Sequence, residues 1–137
     1  MIKLSKSGVE IVDIVQNGRL HVDGSEIVSS KDDGLRLRRK MAYAGHVAIS
    51  LVVDAKGKII SGPETRNSGF PAGPDGDLLD ELSEHVSDIA EDAFDSLTRK
   101  MRTDEDETEA RISSHVRRYI KQQTGKRTIV DVTAHKI

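Results

Sequence analysis

The chain has 137 residues, 36% of them hydrophobic and 32% charged, with a net charge of −2 and no cysteine. That length suits one domain with a modest core, and with Tyr43, Phe70, Phe94 and Tyr119 its only aromatic residues the core must be mainly aliphatic. Disulfides and thiolate metal sites are excluded, and a near-neutral chain has no global field for nucleic acid, so only local clusters could attract it.

The opening MIKLSKSGVEIVDIV alternates, where an export signal needs a continuous apolar block. No apolar run reaches the length of a membrane span. The reading is a soluble, cytoplasmic protein. Residues 2–28 divide into short strands (MIKL, VEIVDIV, RLHV, EIV), with Ile11 and Val15 on one face and Asn17-Gly18 as a hairpin turn signal. Their apolar faces are thin, so they need a neighbour to pack on.

Residues 29–45 turn polar, then basic, and end in glycine, which reads as a basic linker or a short helix closed by Gly45. Next, Val47, Ile49, Leu51 and Val53 alternate with Ala48, Ser50 and Val52; Asp54–Gly57 form a tight turn and Lys58–Ser61 return. This is a β-hairpin with both faces of its first strand partly covered.

The segment GPETRNSGFPAGPDG, residues 62–76, holds all three prolines of the chain. It has neither Walker nor GxGxxG spacing. Asp75, Asp77 and Asp80 would repel a phosphate from the helix start that follows, so the segment reads as a sheet-to-helix corner. From Asp77, Leu78, Leu82, Val86, Ile89, Ala93, Leu97 and Met101 recur at three- and four-residue steps. They predict one amphipathic helix of about seven turns, capped by Asp75 or Asp77. Thr103 or Asp104 caps a second helix carrying Ile112, Val116, Tyr119 and Ile120 and ending at Gly125, and Val130, Val132 and Ala134 then mark a closing strand. The fold class is α+β: a small three-stranded sheet with two helices packed on one face.

No catalytic constellation is visible. The histidines at 21, 46, 85, 115 and 135 show no zinc spacing, the carboxylates at 104–109 read as a solvated helix start, and no serine sits in a GxSxG elbow. Two basic runs remain: Arg36, Arg38, Arg39 and Lys40, and then Arg117, Arg118, Lys121, Lys126 and Arg127. Each can contact phosphates, although helix C-termini favour cations on dipole grounds alone. Candidate RNA contacts are Arg36, Arg38, Arg39, Lys40, Arg66, Arg117, Arg118 and Lys121, with little aromatic interleaving for base stacking.

The ordered pattern resembles the C-terminal part of a bacterial ribonuclease J, in the β-CASP metallo-β-lactamase family. VDIVQNGRLHVDG resembles the family's segment returning from the β-CASP insertion. LRLRRKMAYAGHVAISLVVDAKGKIISGPETRNSGF resembles its junction through Arg39, Gly45, Val47–Val53, Gly57, Pro63, Ser68, Gly69 and Phe70. The two acidic helices and TGKRTIVDVTAH resemble the end of its C-terminal domain, with Arg127-Thr128-Ile129 standing where the family commonly has an arginine-proline-methionine-like start. The resemblance implies residues 1–28 completing the metallo-β-lactamase domain of a parent enzyme, a linker at 29–45 and a C-terminal domain at 46–137. It further implies an accessory role in oligomerisation and activity of a 5′-to-3′ exo- and endoribonuclease. Zinc ions would activate water in that parent, on ligands upstream of this segment, which makes Met1 an internal methionine. The implied partners are the rest of that chain, a homodimer or higher homo-oligomer, and RNA, with no membrane. Alternatives are an RNA-binding module using the basic runs, and an independent hydrolase.

Overall fold

A computed structural model describes residues 2–14 and 18–137. They form strands β1 (Ile2–Ser5), β2 (Gly8–Ile11), β3 (Leu20–Asp23) and β4 (Glu26–Ser29), and helix α1 (Asp33–Ala44). There follow β5 (His46–Val53), β6 (Ile59–Ser68), α2 (Asp77–Asp95), the short α3 (Arg99–Arg102), α4 (Glu105–Thr124) and β7 (Ile129–Lys136). The chain divides into two compact units, residues 1–37 and 38–137.

The first unit holds two antiparallel hairpins. In one, Ile2 faces Ile11 and Ser5 faces Gly8; in the other, Leu20 faces Ser29 and Asp23 faces Glu26. The expected long strand through residue 15 stops at Ile11, because β2 has a partner only along the four residues of β1. Val15 and the Asn17 of the turn signal lie outside the described residues. Among the described strands, β2 pairs with β1 and β3 with β4. The four strands have no fully buried residue: Leu4 is 77% exposed and Val22 80%.

The second unit is a three-stranded sheet ordered β6-β5-β7, antiparallel between β5 and β6 and parallel between β5 and β7. One face carries the core. Val47, Ile49, Leu51 and Val53 of β5 and Val130 and Ala134 of β7 meet Val86, Ala90, Ala93 and Phe94 of α2, and Ile112, Val116 and Ile120 of α4. Burying each large aliphatic side chain contributes about 1.5–3 kcal/mol, so this single layer supplies most of the unit's stability. The α+β class with helices on one face holds as the sequence indicates.

Residues 33–44 are the short helix rather than a linker throughout, and Gly45 ends it at φ 74°, its N–H donating to the Met41 carbonyl. A side chain at Gly45 would meet the Phe70 ring at 2.6 Å, so the glycine makes room for Phe70 against the core. In the β5–β6 turn, the Asp54 carboxylate accepts from the Lys58 and Lys56 N–H groups at 2.9 and 2.8 Å. The Lys58 N–H foremost holds this carboxyl below its ordinary value of 3.8. A lowered folded value means that the turn gains this contribution above the unfolded value and loses it as pH falls through the lower one.

Strand β6 runs seven residues beyond the expected end at Ser61, taking in Pro63 and reaching Ser68. Pro63 is tolerated because β6 is an edge strand, and its carbonyl accepts from Ser87 Oγ of α2 at 3.0 Å. The corner therefore shrinks to residues 69–76. Neither Asp75 nor Asp77 caps α2. Gly76 does, in left-handed conformation, with Asp77 and Asp80 in the first turn where the dipole favours them.

The expected seven-turn helix ends instead at Asp95. Arg102 accounts for the break: its guanidinium donates to the carbonyls of Asp95 at 2.7 Å and Leu97 at 3.1 Å, and it lies 4.9 Å from the Phe94 ring centre. Asp104 caps α4, accepting from the Glu107 N–H at 3.2 Å, and Gly125 closes that helix in left-handed conformation.

Along α4, Glu105, Glu109, Ser113 and Arg117 recur every four residues and cover the outer edge of β7. Glu109 accepts from the Ala134 N–H at 3.0 Å and Glu105 from the Lys136 N–H at 2.9 Å. Ser113 and Arg117 donate to the Val130 carbonyl at 3.4 and 3.2 Å. Two members of the acidic run expected to be only a solvated helix start thus hold an edge strand. Replacing Arg102 with Ala strips the α2 terminus of its side-chain donors and should cost about 1–3 kcal/mol. Urea unfolding of the chain measures it, and Arg102→Lys, lacking the forked donors, should recover less than half of the loss.

Candidate nucleic-acid interface

Thr128 ties two distant parts of the chain together. Its buried hydroxyl donates to the Ala44 carbonyl at 2.7 Å, and the Ile129 N–H donates to the Gly45 carbonyl at 3.3 Å. The end of α1 is thereby fixed beside the start of β7, and α4 passes the same place on its way to Gly125.

At this junction Lys40, Arg117, Lys121, Arg127, Thr128 and Ile129 line a concavity of about 370 Å³. Lys40 belongs to the first basic run and the other three cations to the second, so the fold merges runs that lie some eighty residues apart. Arg117 and Lys121 share one face of α4 by their four-residue spacing. Arg117 is held at its head by the Val130 carbonyl. Among the described residues, none of the four cations makes an ion pair with a carboxylate. All four are exposed. Four cations at one mouth, none of them in an ion pair among the described residues, repel one another, and an anion relieves that repulsion.

Beside this mouth stands Tyr43, one turn beyond Lys40 on α1 and 75% exposed. The Lys126 ammonium lies 5.6 Å from its ring centre, a cation–π contact. Tyr43 escaped the sequence reading as a functional residue, and so did Arg127 among the chosen contacts although it stood in the second run. The signal for Tyr43 was its three-residue spacing from Lys40.

The remaining candidates fall elsewhere. Arg36 pairs with Asp33 at 3.3 Å, both largely exposed. Arg38 and Arg39 lie on α1 and Arg118 on the exposed side of α4, and none of the three lines the concavity. Arg66 is on β6, on the sheet face away from the helices, where a depression of about 400 Å³ is lined by Ala48, Ser50, Glu64, Arg66, Asp131 and Thr133. Two carboxylates beside one guanidinium leave this face net negative and a poor seat for phosphate. On the same face His46 Nε2 sits 2.8 Å from Asp131.

His115 is half-buried beside the Arg111 carbonyl at 3.0 Å, while His85 is exposed with its ring 6.1 Å from that of Tyr119. Among the described residues, no group of three His, Cys, Asp or Glu is placed to hold a metal ion. Nor is any helix of the described residues long and apolar enough to cross a membrane.

Fold and surface together define a small α+β domain whose most distinctive surface is a basic concavity built at the meeting of α1, α4 and β7. The family model described as "Ribonuclease J C-terminal domain" matches residues 34–137, and the chain belongs to that family. A ribonuclease J from Sinorhizobium meliloti (strain Sm2011 / Rm2011 / 2011) is 28% identical over 138 residues, covering all of this chain and 24% of that protein. The chain thus spans about a quarter of the length of its curated relative.

Thr128→Val leaves the Ala44 carbonyl without its donor at a buried position. The expected cost is about 1–3 kcal/mol in denaturant unfolding, and amide exchange should quicken first at Gly45 and Ile129, where the walls of the concavity meet.

Proposed function

We propose that this chain is an accessory segment of a ribonuclease J, supporting assembly and activity of an RNA-degrading hydrolase whose 5′-to-3′ exonucleolytic and endonucleolytic chemistry belongs to another part of that enzyme. Zinc, where the parent uses it, is held outside these residues, and the site of action is the cytoplasm. The observation that carries this reading is the match of residues 34–137 to the ribonuclease J C-terminal domain. The first unit adds to it. Its hairpins expose Ile2, Leu4, Val9, Ile11, Leu20, Val22 and Ile27, apolar side chains that two-stranded sheets cannot cover for themselves. The rest of a ribonuclease J chain is the partner that would bury them, as strands completing its metallo-β-lactamase domain, with residues 29–45 leading into a C-terminal domain at 46–137.

Self-association is the assembly role. Among the described residues the outer edge of β6 has no strand partner, while β7 is blocked by the α4 carboxylates, so association through a strand edge would use β6. A second reading, RNA contact, is favoured by one specific observation, the meeting of both basic runs at Lys40, Arg117, Lys121 and Arg127.

Multi-angle light scattering on a ribonuclease J containing this segment should show a dimer or larger species. Deleting the residues equivalent to 34–137 should shift it toward monomer and lower its turnover of single-stranded RNA at least several-fold. An unchanged mass and unchanged turnover would remove the accessory role. Val22→Asp together with Ile27→Asp should reduce soluble yield of that enzyme far more than of the isolated 137-residue chain.

A further inference from the structure

Three features of the junction concern one nucleotide rather than a diffuse basic patch. The concavity of about 370 Å³ has room for a phosphate and its first shell of donors. Its cations come from α1, α4 and the segment between α4 and β7, with Arg117 already oriented by the Val130 carbonyl, so little side-chain entropy remains to be lost at that position on binding. And the exposed aromatic ring nearest to it, Tyr43, rises from the same face of α1 as Lys40. Lys126 covers one side of that ring, and 75% exposure leaves the rest to solvent.

We propose that this junction is a mononucleotide-sized site for single-stranded RNA. A backbone phosphate seats among Lys40, Lys121, Arg117 and Arg127, and the adjoining base stacks on Tyr43. The inference deepens the RNA reading above and rests on it. An acidic peptide satisfies the cations equally well but has no use for an exposed tyrosine at their rim. A duplex satisfies the cations but keeps its bases stacked inward, away from Tyr43. The combination of anion seat and bare ring is what an unpaired nucleotide needs.

The cations make the site salt-sensitive. Each phosphate neutralised on a single strand contributes a slope of roughly −0.7 in log affinity against log salt. Stacking on the ring is far less dependent on salt and tolerates any base.

The test uses the whole 137-residue chain and a fluorescein-labelled oligouridylate, read by anisotropy at several salt concentrations. Circular dichroism confirms the fold of each variant. Arg117 stays in place because it also holds the Val130 carbonyl. Lys121→Ala with Arg127→Ala should weaken binding at least ten-fold and flatten the salt slope by roughly 0.7. Tyr43→Ala should weaken it roughly 5- to 100-fold with the slope unchanged, and Tyr43→Phe should restore it. On an abasic oligonucleotide, Tyr43→Ala should have no effect while the double variant keeps its own. Inorganic phosphate should compete only at millimolar levels.

If Arg36, Arg38 and Arg39 to Ala abolish binding while the junction variants do nothing, the site is wrong and the RNA reading survives. If no variant matters because the wild-type chain never binds, both fall. Equal losses on the abasic and the normal strand for Tyr43→Ala would overturn the nucleotide assignment. Binding of polyglutamate with the same variant pattern would overturn it too.

Discussion

The pairing of β7 with β5 in parallel is the constraint on which the rest of the second unit depends. β7 lies on the far side of β5 from β6, so no tight turn joins it to the strand before it, and the chain passes through α2, α3 and α4 before it returns. That connection supplies the two helices that cover Val47, Ile49, Leu51 and Val53. It also dictates where the return begins. Ile129 aligns with His46, so the residues just before β7 arrive beside the residues just before β5. Lys126 and Arg127 therefore meet Lys40 and Tyr43, and the Thr128 hydroxyl and Ile129 amide find the Ala44 and Gly45 carbonyls waiting. The basic junction follows from strand register; it needs no added loop or insertion.

The same register explains how one thin sheet manages its exposed borders. A three-stranded sheet has two edges, and the two are treated differently. On β7, the four-residue rhythm of Glu105, Glu109, Ser113 and Arg117 matches side chains of α4 to successive polar groups of the strand. On β6, Pro63 withholds a donor while Ser83 and Ser87 of α2 bind the inner side of the strand. Arg117 serves both ends of this scheme, since its head group closes the β7 edge and lines the concavity. Edge protection and site construction share a residue, which is why its removal would blur two effects.

What could be read from the sequence was what local pattern carries. The alternation of residues 47–53, the turn at Asp54–Gly57, the apolar period of α4 with Asp104 and Gly125 at its ends, and the alternation in β7 all depend on near neighbours in the chain. The misjudged boundaries depend on distant ones. Gly62 and Pro63 read as the end of a strand, yet β5 keeps pairing with β6 from Glu64 to Ser68 beyond them. Leu97 and Met101 continue the helical period past Asp95, but the carbonyls there are taken by a side chain seven residues ahead. The candidate site divides along the same line. Its charges stood in plain view in two runs, while their convergence depends on a parallel pairing that no local pattern announces. Tyr43 had no reason to stand out until Lys40 was seen to face a cavity.

Charge distribution gives the junction a direction. The chain carries a net −2, so its basic residues must be offset, and much of the offset is on α2, with Asp77, Asp80, Glu81, Glu84, Asp88, Glu91, Asp92 and Asp95 along nineteen residues. An anionic strand near this domain meets repulsion along α2 and attraction where Lys40, Arg117, Lys121 and Arg127 come together. Within about a Debye length, roughly 8 Å at physiological salt, the local cations decide the outcome, and beyond it the net charge contributes little. The open face of the sheet, where Arg66 stands with Glu64 and Asp131, carries more carboxylate than guanidinium and offers no second basic pole. Such a polarised domain cannot hold RNA along its length as a uniformly basic one would. The RNA contact proposed above is thereby confined to one place and few orientations.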